Sequence, residues 1–597
     1  MRLSVAKGNQ RLAGQTVSDR WRWPWQSVNR RRLVERFESS AIDVALDSGM
    51  TRSKRLSLQE AAAVIVNGAT VSVSSSSGLG CPDAMLKAIG DRFRGTGEPC
   101  RLTMIHPIAA GDMYGIDGVD HIAEPGLIKR IIAGSYPSGP SSMPSPKIWQ
   151  LIDGDHIEAY NLPSGVLFHM HADAAAGRPG VLTKVGLDTF VDPRRQGGRM
   201  NRATEEEIVR VVEFDGDEWL HYRAIPIDVA IVRGTTADQL GNISTEHEGA
   251  YLGALDQALA ARNNGGVVIA QVERMTTAGS LAAQQVRIPG ILIDWVVVVA
   301  DQWQTTQTEY DPAISGELRR PIDQFELPDW GLDKVIARRA ALELIDGEVV
   351  NLGFGISALV PRILLEEGLD GRVIWVIEQG PVGGMPLLGF QFGCAANAQA
   401  IMPSPAQFTY FQGGGFDRCL LSFLQVDAAG NVNVSRLRGK PHVSAGAGGF
   451  IDITAAARNL VFSGAFCAGR QDIVLENGEL MIRDDGVVAK FVPEVEQVTF
   501  SGRMARERGQ NVTFITERCV IRLLPDGLTV TEIAPGVDLE RDVLGRVAIP
   551  LRVSPDLRRM DARLFRPECM ELTLRASAER TRRAPTLRGR HRVAAVG

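Results

Sequence analysis

The same order of signals occurs twice along this chain, and that repetition limits its fold more than any other feature. A helical stretch leads into Gly68-Ala69-Thr70-Val71-Ser72-Val73, then a loop with Gly78 and Gly80, then a helix from Pro82. Much later a helix leads into Gly347-Glu348-Val349-Val350-Asn351-Leu352, a loop with Gly353 and Gly355, and a helix through Leu365. Late in the first block stands Asp238-x-x-Gly241-Asn242-Ile243, and late in the second Asp427-x-x-Gly430-Asn431-Val432. Each comes after an apolar run (229–232 and 420–426), so each reads as the turn of a β-hairpin. Short β-branched runs such as Val267-Val268-Ile269 and residues 293–299 have the composition of strands buried on both faces. Helical stretches such as 333–344 separate them. The expectation is an α/β protein: two related open α/β domains, an internal duplication with mainly parallel sheets, and a ligand site in the cleft between them.

Along the chain, residues 1–50 read as a disordered N-terminal extension, 51–301 as the first domain, and 302–332 as a linker holding Pro312, Pro321 and Pro328. Residues 333–552 read as the second domain and 553–597 as a disordered Arg-rich tail. Of 597 residues, 44% are hydrophobic and 23% charged, the balance of a globular chain. A net charge of −5 gives no general polyanion-binding surface, so nucleic acid is not an expected partner. The longest fully apolar run, 295–300, is far short of the about 20 residues that cross a bilayer, so no membrane association is expected. Seven dispersed cysteines without a CxxC suit reduced thiols in the cytoplasm. His169 and His171 flank Met170, which reads as alternation on a strand rather than a metal site; no metal is expected.

The chemistry concentrates in Arg372-Val373-Ile374-Trp375-Val376-Ile377-Glu378-Gln379-Gly380-Pro381-Val382-Gly383-Gly384, an apolar strand ending in a carboxylate and a glycine-rich turn. In open α/β sheets ligands bind beyond the carboxyl ends of strands, which places Glu378 where chemistry happens. A second reading fits the same stretch. Gly353-x-Gly355-x-x-Ala358, with Glu378 twenty residues later, matches a dinucleotide fingerprint, giving a nicotinamide-dependent oxidoreductase that uses Gly353, Gly355 and Glu378. Two further glycine clusters, 413–415 and 446–449, lack the P-loop pattern, but their N–H groups could form an oxyanion hole.

The segment 377–384 resembles the catalytic motif of family I CoA-transferases, most of all the single-chain acetate/propionate (short-chain acyl) group. The resemblance runs in family order through 159–166, 182–194, 410–417, 430–436, 444–453, 515–519 and 532–539, covering about residues 55–550. It implies an acyl-CoA:carboxylate CoA-transferase that moves CoA between a short-chain acyl-CoA and an acceptor such as acetate. The mechanism it implies is ping-pong, through a glutamyl-CoA thioester on Glu378. It also implies a main-chain oxyanion donor at Gly448 or Gly449, and a loop at Gly383 and Gly384 shaping the thiol end of CoA. CoA is then a co-substrate with no further cofactor, small carboxylic acids are the other partners, and the enzyme is a homo-oligomer. An acyl-CoA hydrolase on the same scaffold is an alternative. The chain departs from the family pattern at Gln379, where a small residue is usual, and at Ala110, which aligns with a glutamine that holds the oxyanion. His106 or Gln379 could replace that donor; a weakened paralogue that only binds CoA is the remaining possibility.

Overall fold

The computed structural model describes residues 53–576; the extension expected over 1–50 and the last part of the tail lie outside the described residues. The first half is built on strands β1 (Thr70–Val73), β2 (Leu102–His106), β3 (Ile128–Ala133), β4 (Glu158–Asn161), β5 (Val229–Asp238), β6 (Val267–Thr276) and β7 (Trp295–Val298). They lie in the order β7-β6-β5-β1-β2-β3-β4, all parallel. The second half holds β8 (Val349–Leu352), β9 (Ile374–Val376), β10 (Pro381–Val382), β11 (Ala400–Ile401), β12 (Arg418–Ser422), β13 (Asn459–Ser463) and β14 (Asn511–Ile515). Strands β15 (Cys519–Leu524), β16 (Gly527–Ile533) and β17 (Arg552–Arg559) complete it. Its order is β11-β10-β9-β8-β12-β13-β14-β15-β16-β17.

The five parallel strands β14-β13-β12-β8-β9 repeat the order β7-β6-β5-β1-β2, so the duplication expected from the sequence is present in the topology. It extends to single hydrogen bonds. Asp238 Oδ1 accepts from the backbone of Leu240 and Asn242, and Oδ2 from Asn242 Nδ2 at 3.0 Å. Asp427 does the same with Ala429, Asn431 and Asn431 Nδ2 at 2.9 Å. In both turns the glycine is left-handed, at φ +86° for Gly241 and +79° for Gly430, where a side chain would be strained. Each asparagine then accepts from a distant glycine N–H, Gly290 at 2.8 Å and Gly502 at 2.9 Å. Local side-chain chemistry fixes these turns.

Beyond the shared five strands the halves differ. The first continues into parallel β3 and β4 and carries a small antiparallel sheet made of Gly180–Thr183, Val209–Phe214 and Asp217–Arg223. The second turns back through the short antiparallel β10 and β11. The connector 302–332 is packed rather than bare: it forms the short helix Pro312–Ser315 and buries Ile314 and Phe325 against Leu79, Met385, Leu387 and Cys394.

Two expectations are corrected. His169 and His171 lie in helix α1 (Ser164–Ala175), not on a strand. His171 is buried between Ser72 Oγ and the Leu167 carbonyl, both at 2.8 Å. Residues 553–576, expected to open a disordered tail, belong to the second half. Strand β17 is the sheet's edge, and Met560, Leu564, Phe565 and Met570 are buried in its core. The side chains of β17 are largely exposed and three are arginines, the charged composition that protects an edge strand and that imitates a tail in sequence.

Candidate active site

Strand β9 ends at Val376, and the chain then turns tightly: Ile377 N–H donates to the Pro381 carbonyl at 3.1 Å and Gly380 N–H to the Ile377 carbonyl at 3.0 Å. Gly380, at φ +128°, has no room for a side chain, since a Cβ would lie 1.9 Å from the Met402 carbonyl oxygen. This turn holds Glu378 at the carboxyl end of a parallel sheet, the place expected for it. Burial pushes the Glu378 carboxyl up to about 7, against a downward pull from two donors, the Gln379 amide and the Gly449 backbone N–H. Gln379 Nε2 lies 3.2 Å from Glu378 Oε1. A Cβ on Gly449 would lie only 2.1 Å from Glu378 Oε2, so glycine is what lets the backbone close on the carboxylate.

The two glycines named together in the sequence have different tasks. Gly448 N–H is committed to the Gly134 carbonyl at 2.7 Å, and its carbonyl accepts from Ser164 at 2.9 Å. It ties the loop to the first half, while Gly449 faces the nucleophile candidate. Gly383 and Gly384, at φ +69° and +72°, form the turn leaving β10. Their neighbours are the Gln399 side chain and the 396–398 backbone. Gly353 packs on Leu421 and Gly355 on Ser422. The chain continues from them into the 3-10 turn Ile356–Leu359, whose Ala358 N–H is spent on the Gly355 carbonyl; a dinucleotide phosphate needs an open helix start instead.

Gln379 is buried and bridges the halves. Its Nε2 also donates to Ser76 Oγ at 3.1 Å, and Ser404 Oγ donates to its backbone carbonyl at 3.2 Å. Ser76 stands in the loop after β1, closed by reciprocal bonds with Leu79. Ala110 is buried beside that loop: Ser77 donates to Ala109, Gly111 donates to Ser77, and the Ala110 carbonyl accepts from Val119 at 2.9 Å. The backbone at Ala110 thus braces the loop that brings Ser76 to Gln379. His106 is buried, its ring nitrogens have no partner among the described residues, and burial pulls its pKa down to about 3. It is a neutral imidazole.

Sequence reasoning missed Asp452. It lies in helix α3 (Phe450–Ala456), immediately after Gly449, and is fully buried. Its carboxylate accepts from Gly165 N–H of α1 at 3.0 Å and from Gln412 Nε2 of helix α2 (Ser404–Gln412) at 2.8 Å. Burial pushes it up to about 7, and the neighbouring Glu378 charge adds to the rise. The ring of Phe408 in α2 packs against the backbone at Gly449 and at Gly165, each of which also borders one of the two acids. A Cβ on Gly449 would lie 2.8 Å from its Cε1, and one on Gly165 2.6 Å from its Cδ1. An acid set inside the apolar run Phe450-Ile451-Asp452-Ile453 was the available signal. Among the described residues, no three His, Cys, Asp or Glu side chains converge on a metal-holding cluster. A carboxylate desolvated yet held by a backbone donor is suited to nucleophilic attack with oxyanion stabilisation.

Residues 55–299 match the coenzyme A transferase family. The chain is 41% identical over 518 residues to the caffeate CoA-transferase of Acetobacterium woodii, covering 86% of this chain and 97% of that one. It is 40% identical over 537 residues to the acetate CoA-transferase YdiF of Escherichia coli (strain K12), covering 88% and 97%. The solved structure of the E. coli O157:H7 acyl-CoA transferase YdiF in its thioester complex with CoA superposes with a TM-score of 0.81. That match has 39% identity and covers 88% of this chain and 98% of that one. Nothing among these relatives supports the oxidoreductase or hydrolase readings.

Proposed function

The chain belongs to the family I coenzyme A transferases and is a CoA-transferase, and from that premise we propose that Glu378 is the nucleophile of a ping-pong exchange. The Glu378 carboxylate attacks the acyl-CoA carbonyl carbon; the C–S bond breaks, giving an acyl-glutamyl anhydride and CoA thiolate. The thiolate attacks the glutamyl carbonyl, the acyl group leaves as its carboxylate, and a γ-glutamyl-CoA thioester remains. An acceptor carboxylate reverses the steps. Overall one thioester is exchanged for another of similar energy, and no proton or electron is consumed, so CoA as co-substrate is all the chemistry requires.

The observation that carries this reading is the Glu378–Gly449 contact, which holds one carboxylate oxygen against a backbone N–H with no space for a side chain. Gly449 donates to the oxyanion, Gln379 holds the other oxygen, and Gly383 and Gly384 shape the turn beside the thiol end of CoA. For substrates we favour a short-chain acyl-CoA with acetate as an acceptor, supported by the acetate CoA-transferase name of one relative; the caffeate CoA-transferase makes a hydroxycinnamoyl group the second reading. We further place the enzyme in the cytoplasm as a homo-oligomer. Among the described residues no helix is long and apolar enough to cross a membrane. The test is initial-rate kinetics with acyl-CoA and acceptor varied together. Parallel double-reciprocal lines are expected; intersecting lines would mean a ternary complex and no covalent enzyme.

A further inference from the structure

The Gly449 N–H belongs to the second half of the chain, yet the loop leading to it is held by the first. Among the described residues, 445–448 make four hydrogen bonds outside their own loop, and all four go to the first half. The Ala445 carbonyl accepts from Tyr136 N–H at 2.7 Å, and Ala447 N–H donates to Asn161 Oδ1 at 2.8 Å. Gly448 N–H donates to the Gly134 carbonyl at 2.7 Å, and the Gly448 carbonyl accepts from Ser164 N–H at 2.9 Å. The last bond matters most, because the Gly448 carbonyl and the Gly449 N–H lie in one peptide plane and point opposite ways. Ser164 is the first residue of α1, where leading N–H groups have no acceptor within the helix. One of them thus fixes and polarises the peptide whose other end meets Glu378.

Asn161, buried at the end of β4, completes this clamp. Its Nδ2 donates to the Ala133 and Gly134 carbonyls at 3.1 and 2.7 Å, while its Oδ1 accepts from Ala447. Only an amide offers two donors and an acceptor in that arrangement; a carboxylate would turn an oxygen on two carbonyls. The Gly134 carbonyl that Asn161 holds is the one that takes Gly448 N–H. Gly446, at φ +98°, lies against the same amide, where a Cβ would come within 2.8 Å of Nδ2. Three consecutive peptides, 446–447, 447–448 and 448–449, are thereby fixed by Asn161, Gly134 and Ser164. We propose that Asn161 is a positioning residue for the exchange: it sets the Gly449 N–H against Glu378, so that the first half delivers the oxyanion donor to a nucleophile carried by the second. This rests on the reading of Gly449 as the oxyanion donor, and adds to it the side chain that holds that donor in place.

Asn161→Ala removes all three bonds without adding charge or bulk. The test compares kcat and KM for CoA transfer from acetyl-CoA or propionyl-CoA in wild type, Asn161→Ala, Gly449→Ala and the double variant. Thr204→Val is the control: Thr204 Oγ1 accepts from Ala159 N–H of the same strand at 2.7 Å and stands outside the clamp. Removing an oxyanion donor costs about 10² to 10³ in kcat, so misplacing it in Asn161→Ala should cost at least about tenfold, with KM for acyl-CoA within about twofold of wild type. Thr204→Val should keep both constants. In the double variant the Asn161 change should add less than about threefold to the loss from Gly449→Ala, because the donor it positions is already gone. An Asn161→Ala loss under about threefold, an equal loss in Thr204→Val, or single losses that multiply in the double variant would each overturn the proposal. Should Asn161→Ala fail to fold, Gly446→Ala presses on the same amide from the loop side and takes its place in the cycle. A Gly449→Ala that keeps its kcat fails the oxyanion reading and takes this inference with it. A Gly449→Ala that loses kcat, beside an Asn161→Ala that does not, refutes the positioning role alone.

Discussion

Replacing Gly449 by alanine places a methyl carbon where its ideal position is 2.1 Å from Glu378 Oε2 and 2.8 Å from the Phe408 ring. Ordinary contact distances are about 3.5 Å or more, so the carboxylate or the loop must shift by about an ångström. The Gly449 N–H then loses its grip on the reacting group. Loss of one such donor costs about 10² to 10³ in kcat, and crowding the site costs about 1–3 kcal/mol of stability. Gly448→Ala supplies the comparison on the adjacent residue. Its Cβ meets nothing within 4 Å, although φ of +52° strains any side chain, by about 1–2 kcal/mol. Both variants should therefore melt earlier than the wild type, but only Gly449→Ala should lose kcat by a hundredfold or so, about 3 kcal/mol of transition-state stabilisation. The assay is kcat for CoA transfer at saturating acyl-CoA and acetate, with thermal melting of the same samples. Gly449→Ala retaining kcat within about threefold of Gly448→Ala would show that this N–H has no role at the oxyanion.

The same geometry has other measurable consequences. The reactive form of Glu378 is ionised and burial pushes it up to about 7, so kcat/KM should fall as pH drops below that value; a profile flat down to pH of about 5 contradicts the assignment. The folded state holds this proton between the ordinary value of 4.5 and about 7 while the unfolded chain has released it. Its penalty on stability therefore grows as pH rises through that window. Glu378→Gln should accordingly gain on the order of 2–3 kcal/mol in denaturant melts above pH of about 7 and almost nothing near pH of about 4. Gln379→Leu keeps the bulk but removes the amide donor that pulls the Glu378 pKa down, so the acid limb of the rate profile should move up by about one pH unit; an unmoved limb would mean that the 3.2 Å contact is not formed in solution. Gly502→Ala puts a Cβ 2.2 Å from the Ala429 carbonyl in the second duplicated turn, and should cost about 1–3 kcal/mol with KM unchanged. Melting like the wild type would show that this turn has room to spare.

Much of the frame is legible in the sequence because its signals are local. The Asp-x-x-Gly-Asn turns close on their own side chains, so five residues suffice to announce each, and their repetition exposes the duplication that the strand order bears out. Glu378 is visible as an acid closing an apolar strand. Asp452 is not, because what makes it notable is contact with Gly165, 287 residues away, and with Gln412, 40 residues away. Nor can spacing divide the labour of Gly448 and Gly449, which depends on where Gly134 and Glu378 lie. The His-Met-His segment misleads because alternation over three residues fits a strand, whereas the longer apolar face of 166–174 is helical. Arginines on an exposed edge strand carry no periodicity that separates them from a tail, which is why 553–576 reads as one.

Ping-pong transfer through Glu378 requires a covalent bond between CoA and this side chain. Wild-type protein mixed with acetyl-CoA in the absence of acceptor, treated with borohydride and digested, tests it directly. Borohydride reduces a glutamyl thioester to the alcohol, replacing one carboxyl oxygen with two hydrogens. That mass change is expected on the peptide holding Glu378 and on no other, with its loss when acetate is added before the reductant. Reduction at a different residue, or full CoA transfer by an enzyme whose Glu378 peptide never changes mass, would contradict it.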